Sequence, residues 1–175
     1  VLDVDQRTQL DTTGITRVPG AVDGPTADGM AGEVWACLTL RGVDRADRST
    51  WPTGFTSKLQ RLRKRGVFNA FDNDVTAEVV DELLGAGRWR AIGSWGPALV
   101  TFPEDGPWRL PNKMWHFDLP AKGDPDQPEV ARLFGYVTDV VSHGGATLVV
   151  EGSHELVRRM VAAAPGHHVG SSAEL

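Results

Sequence analysis

The sequence predicts a domain in which helices pack outside a later β-core. Two observations carry that expectation. Apolar residues recur at helical spacing through the stretch that ends at Leu84. After residue 88 the pattern changes to short β-branched or aromatic runs, at 98–102 and 146–150, set between Gly- and Pro-rich turns. A chain of 175 residues suits one domain, 1–175, with a mainly helical portion at 1–97 and the β-core at 98–175.

The elements follow in order. Asp3 caps a helix running through Leu10, with Gln6 in the capping-box position and Gly14 as the stop. Residues 14–19 read as a short strand ended by Pro19. A turn at 20–25 leads to a helix near 26–40, with Met30, Val34, Trp35 and Leu38 on one face and Gly42 ending it. Residues 44–52 are polar loop. Phe55, Leu59 and Leu62 place an apolar stripe on a third helix, surrounded by Lys58, Arg61, Arg63, Lys64 and Arg65. Such a basic face is read as solvated; contact with nucleic acid or membrane is the alternative. Asp74 caps a fourth helix, whose Val75, Val79, Val80, Leu83 and Leu84 form the buried side and whose end is closed by Gly85 and Gly87. A strand is expected at 98–102, a loop leading into a strand at 108–118, a surface loop at 120–128 and a further strand at 130–141. Gly144 and Gly145 provide a tight turn. Residues 155–164 are helical. Ser171-Ser172-Ala173-Glu174 has capping-box spacing with no helix after it, so the chain is expected to be incomplete at its C-terminus.

Composition bounds the function. Hydrophobic residues make up 41% and charged residues 23%, which excludes a disordered tail. The formal charge of -5 argues against a dedicated nucleic-acid binder. The single cysteine, Cys37, excludes an internal disulfide and a cysteine-ligated zinc within one chain, and it fits a cytoplasmic setting. No apolar run approaches the length of a membrane span, and the acidic N-terminus lacks a signal-peptide pattern.

The focal motif is His116-Phe117-Asp118. Residues i and i+2 of a strand share a face, so an imidazole and a carboxylate converge on one cation. With a distant third His they form the facial triad of non-haem Fe(II) oxygenases. A strand histidine beside a surface Asp is the plainer reading. A second motif, Gly144-Gly145-Ala146-Thr147-Leu148-Val149-Val150-Glu151-Gly152-Ser153-His154, follows. Together with Trp115-His116-Phe117-Asp118 and the opening Ile15-Thr16-Arg17-Val18-Pro19-Gly20-Ala21, it resembles the phytanoyl-CoA dioxygenase family, which usually has Pro where this chain has Glu151.

That resemblance implies a mainly β fold with flanking helices: a double-stranded β-helix, or cupin-like jelly roll, incomplete at its C-terminus. It implies an Fe(II)- and 2-oxoglutarate-dependent dioxygenase that hydroxylates a small-molecule or acyl-type substrate. His116 and Asp118 resemble the first two iron ligands and are the expected catalytic pair. The carboxylate at 118 implies hydroxylation rather than halogenation. Lys113, three residues before His116, either meets the anionic cosubstrate or is a solvated Lys, and Phe134 and Tyr136 line the cosubstrate pocket or the jelly-roll core. His154 is expected to support a neighbouring loop by hydrogen bonding rather than to bind metal. The distal iron ligand and the 2-oxoglutarate-binding Arg are expected beyond Leu175, and His167 and His168 are unassigned. Trp115 and Phe117 point away from the metal; Trp51, Trp89, Trp95 and Trp108 are structural; Arg109 has no compelled role. The alternatives are a noncatalytic metal- or ligand-binding jelly roll and an interaction domain that dimerises through its N-terminal helices. Expected partners are a small-molecule or acyl substrate, with no nucleic acid and no membrane; a homo-oligomer is left open.

Overall fold

Local signals set the first helix in a computed structural model of the chain that describes residues 1–56, 59–110, 115–116 and 131–163. Helix α1 spans Val4–Thr13. The Asp3 carboxylate accepts from the Gln6 N–H at 2.8 Å, while the Gln6 side chain accepts from the Asp3 N–H at 2.9 Å. This reciprocal capping box satisfies two N–H groups that the first turn would leave unpaired. Gly14 ends the helix with φ 79, and its N–H reaches the Leu10 carbonyl. No strand follows at 15–19.

Helix α2, Gly24–Thr39, starts at the Asp23 cap with Pro25 in its first turn, and it buries Met30, Val34 and Leu38. Helix α3 is only Gln60–Lys64. The expected longer helix is cut because Phe55 belongs to a strand. β1, Phe55–Thr56, pairs antiparallel with β2, Val100–Thr101, in the register Phe55 with Thr101 and Thr56 with Val100. Helix α4, Asp74–Leu84, is capped by Asn73, one residue before the expected Asp74; it buries Val79 and Val80 but leaves Val75 exposed. Helix α5 spans Ser153–Ala163.

One cluster forms the core: Met30, Val34 and Leu38 of α2, Val43, Leu59 and Leu62 around α3, then Phe68, Phe71, Trp95 and Phe102. Trp51 bridges its edge, with ring centroids 5.7 Å from Trp35 and 5.5 Å from Phe102. The N-terminus is tied to α4 through Glu82, which accepts from the Leu2 N–H at 3.1 Å and the Arg7 guanidinium at 2.6 Å.

The jelly-roll expectation is corrected. The described residues form a helical fold whose only sheet is the two-stranded β1–β2 pair. A β-branched run becomes a strand only when neighbouring backbone groups complete its ladder. Residues 146–150 find none among the described residues, and consecutive side chains stay open to solvent: Leu148 at 42%, Val149 at 41% and Val150 at 50%. Residues 131–141 likewise form no strand. This stretch instead lies against the helical body at particular points. Gly135 approaches the Phe71 ring so closely that a Cβ there would stand 2.5 Å from Cζ. The Thr101 hydroxyl donates to the Gly145 carbonyl at 3.3 Å, and the Gly152 N–H donates to the Thr13 carbonyl at 3.0 Å. The expected turn at 142–145 is present, with the Gly144 N–H bonded to the Val141 carbonyl at 2.8 Å. No described helix is long and apolar enough to cross a membrane.

Candidate functional site

Helix α3 has two faces with different chemistry. Leu59 and Leu62 are 0% and 1% exposed and fix the helix to the core. Gln60, Arg63 and Lys64, at i, i+3 and i+4, share the outer face. Gly66, with φ 70, stops the helix, and its N–H bonds to the Arg63 carbonyl at 3.0 Å. Asn69 folds its amide across Gly66, where a Cβ would stand 2.9 Å from Nδ2. The opposing wall is Gly93 and Ser94. That wall is held by the next residue, Trp95, which is buried and packs on Phe71 with centroids 5.3 Å apart. Arg63 closes the gap by donating from Nε to Ser94 Oγ at 2.9 Å.

These residues line a cleft of about 310 Å³. Its side-chain groups are a guanidinium, an ammonium, two carboxamides and a hydroxyl. Neither Arg63 nor Lys64 has a carboxylate within 4.0 Å among the described residues. Arg65 differs: it pairs with Glu33 at 2.9 Å. Among the described residues the charge lining the cleft is therefore positive, although the whole chain carries -5. Groups of this kind, converging on one small space, can hold a compact anion through charge-assisted hydrogen bonds.

The residues expected from the sequence lie elsewhere or outside the description. His116 is exposed, whereas Asp118, Lys113, His167 and His168 lie outside the described residues. Phe134 and Tyr136 are exposed, and the Tyr136 hydroxyl accepts from the Thr147 N–H at 3.4 Å. His154 stands in the first turn of α5. Its Nε2 lies 3.2 Å from the Asp11 carbonyl, which makes Nε2 the protonated nitrogen, and Nδ1 has no partner among the described residues. It thus supports the end of α1. Trp95 is core; Trp51 donates to the Asp44 carbonyl at 2.7 Å; Trp89 donates to the Asp81 carboxylate at 2.6 Å. Trp108 is half-exposed and stacks on His143 at 4.6 Å.

The Fe(II)/2-oxoglutarate dioxygenase reading is corrected with the fold. Among the described residues no group of three or more His, Cys, Asp or Glu side chains is arranged to hold a metal ion, and no β-scaffold presents such a group. The resemblance to phytanoyl-CoA dioxygenases therefore rests on local spacing without the structure that gives it chemical meaning, and the alternative of a metal-binding jelly roll falls with it. No protein-family model, no curated protein and no solved structure matches the chain. Fold and site together define a helical domain with a cationic, polar cleft. The sequence signal for that cleft was the Gln60, Arg63 and Lys64 spacing followed by Gly66. Nothing in the sequence linked it to Ser94.

Proposed function

We propose that this chain is a ligand-binding domain that takes a small anionic molecule in the α3 cleft. One observation carries the reading: Arg63 and Lys64 line the same cleft with no carboxylate partner among the described residues, beside Gln60, Asn69 and Ser94. Exposed cations that serve only solubility are usually interspersed with acids, as Arg65 is with Glu33. A small-molecule partner also suits a chain of net charge -5, which would repel an extended polyanion outside this cleft. Composition supports a cytoplasmic setting, since Cys37 has no second cysteine with which to form an internal disulfide.

Calorimetric titration with inorganic phosphate tests the reading. The wild-type chain should bind saturably, more weakly as salt is raised. Lys64→Gln should weaken binding about tenfold, the worth of one charged hydrogen bond. Arg17→Gln, which removes an exposed charge on another loop, should leave binding unchanged. Equal losses in both variants would show general charge attraction and reject the site.

A further inference from the structure

We propose that the ligand of this cleft is a phosphate monoester carried on a small polyhydroxylated body; this class rests on the anion-binding reading above. Arg63 and Lys64 bring two positive charges to one small space. A phosphate monoester approaches two negative charges at neutral pH and offers three strong acceptor oxygens on one centre. A monocarboxylate would leave one cation without a counter-charge. Arg63 spends its Nε hydrogen on Ser94 Oγ, and among the described residues the N–H groups of its two terminal nitrogens remain to grip oxygens as a planar pair. Lys64 adds a point charge with rotatable donors.

The remaining groups describe the rest of the ligand. The Gln60 and Asn69 carboxamides both donate and accept, as does the Ser94 hydroxyl, and hydroxyl groups need such two-way partners. Gly66 and Gly93 place no side chain in the way. Among the described residues no aromatic or aliphatic residue lines the cleft, so a nucleobase would find no face there on which to stack. A volume of about 310 Å³ stands at the small end of small-molecule sites.

The test titrates the full chain with glycerol 3-phosphate, glycerate and adenosine monophosphate at constant ionic strength, at pH 5 and pH 7.5. Glycerate keeps a hydroxylated body but replaces phosphate with carboxylate. Glycerol 3-phosphate should bind about tenfold tighter than glycerate. Its affinity should rise about tenfold from pH 5 to pH 7.5, because the ester takes its second charge near pH 6. Glycerate, ionised throughout, should show no comparable rise. Among the described residues the charged groups facing the ligand are Arg63 and Lys64 of α3, while Gln60, Asn69 and Ser94 are neutral. Lys64→Gln should reduce glycerol 3-phosphate binding about tenfold and flatten its pH dependence, with the circular dichroism spectrum unchanged. Equal affinity for glycerate and glycerol 3-phosphate would overturn the phosphate assignment while leaving an anion site. Tighter binding of adenosine monophosphate than of glycerol 3-phosphate would overturn the polyhydroxylated body. Failure of every anion to bind would overturn both this inference and the function it rests on.

Discussion

Replacing Gly14 with Ala should destabilise the protein through its left-handed backbone and through a contact between the end of α1 and the start of α5. Gly14 has φ 79, in the left-handed region that costs Ala about 1 kcal/mol relative to Gly. A Cβ built there falls on the His154 ring, 2.8 Å from Cγ. The ring must then move, which breaks its 3.2 Å contact with the Asp11 carbonyl. A lost hydrogen bond of this kind costs about 0.5–1.5 kcal/mol. With the disturbed packing included, Gly14→Ala should cost about 2–3 kcal/mol in all, or about 5–10 °C in midpoint for a chain of this size. Urea unfolding of Gly14→Ala, His154→Ala and the double variant separates the causes. In the His154→Ala background the ring is gone and only the approach to the residual Cβ, 3.2 Å away, is left, so Gly14→Ala should cost little beyond the dihedral part, about 1 kcal/mol. The same cost in both backgrounds would refute the contact between α1 and α5.

Leu59 is fully buried beneath the cleft, so Leu59→Ala should destabilise by about 2–5 kcal/mol and reduce anion binding in proportion to the unfolded fraction, both readable from denaturation followed with and without phosphate. Glu82 supplies a pH dependence. The Leu2 N–H, first, and the Arg7 guanidinium hold its carboxyl down from the usual 4.5 to about 2. A carboxyl lowered by folding contributes stability above its unfolded value and loses it as pH falls through its folded one. Wild type should therefore lose its advantage over Glu82→Gln between about pH 4.5 and pH 2, measured as the difference in urea midpoints; a constant difference across that window would contradict the tie between α1 and α4.

Capping chemistry was the most legible part of the sequence. Asp3 with Gln6, Gly14, and the Met30, Val34, Leu38 stripe each specify their element within a few neighbouring residues. The β-core was misread because strand formation is settled by partners distant in sequence. Leu148, Val149 and Val150 have the composition of a strand but no ladder to join among the described residues. Gly152-Ser153-His154 belongs to the motif that carried the dioxygenase resemblance, yet Ser153 begins α5 and His154 bonds back to α1. Phe55 fits the stripe of α3 equally well, but its pairing with Thr101 decides for a strand. Arg63 and Lys64 read as a solvated basic face for a related reason. What turns that face into a cleft is Ser94, carried into position by the burial of Trp95 against Phe71.

The most direct test of the cleft follows its own side chains by nuclear magnetic resonance. In a nitrogen-15-labelled chain, the Arg63 Nε signal and the Gln60 and Asn69 side-chain amides should shift together on titration with phosphate. They should saturate with one dissociation constant, while the Trp89 indole signal, bonded to Asp81, stays still. Small shifts that spread over every exposed Arg and never saturate would contradict a formed anion site.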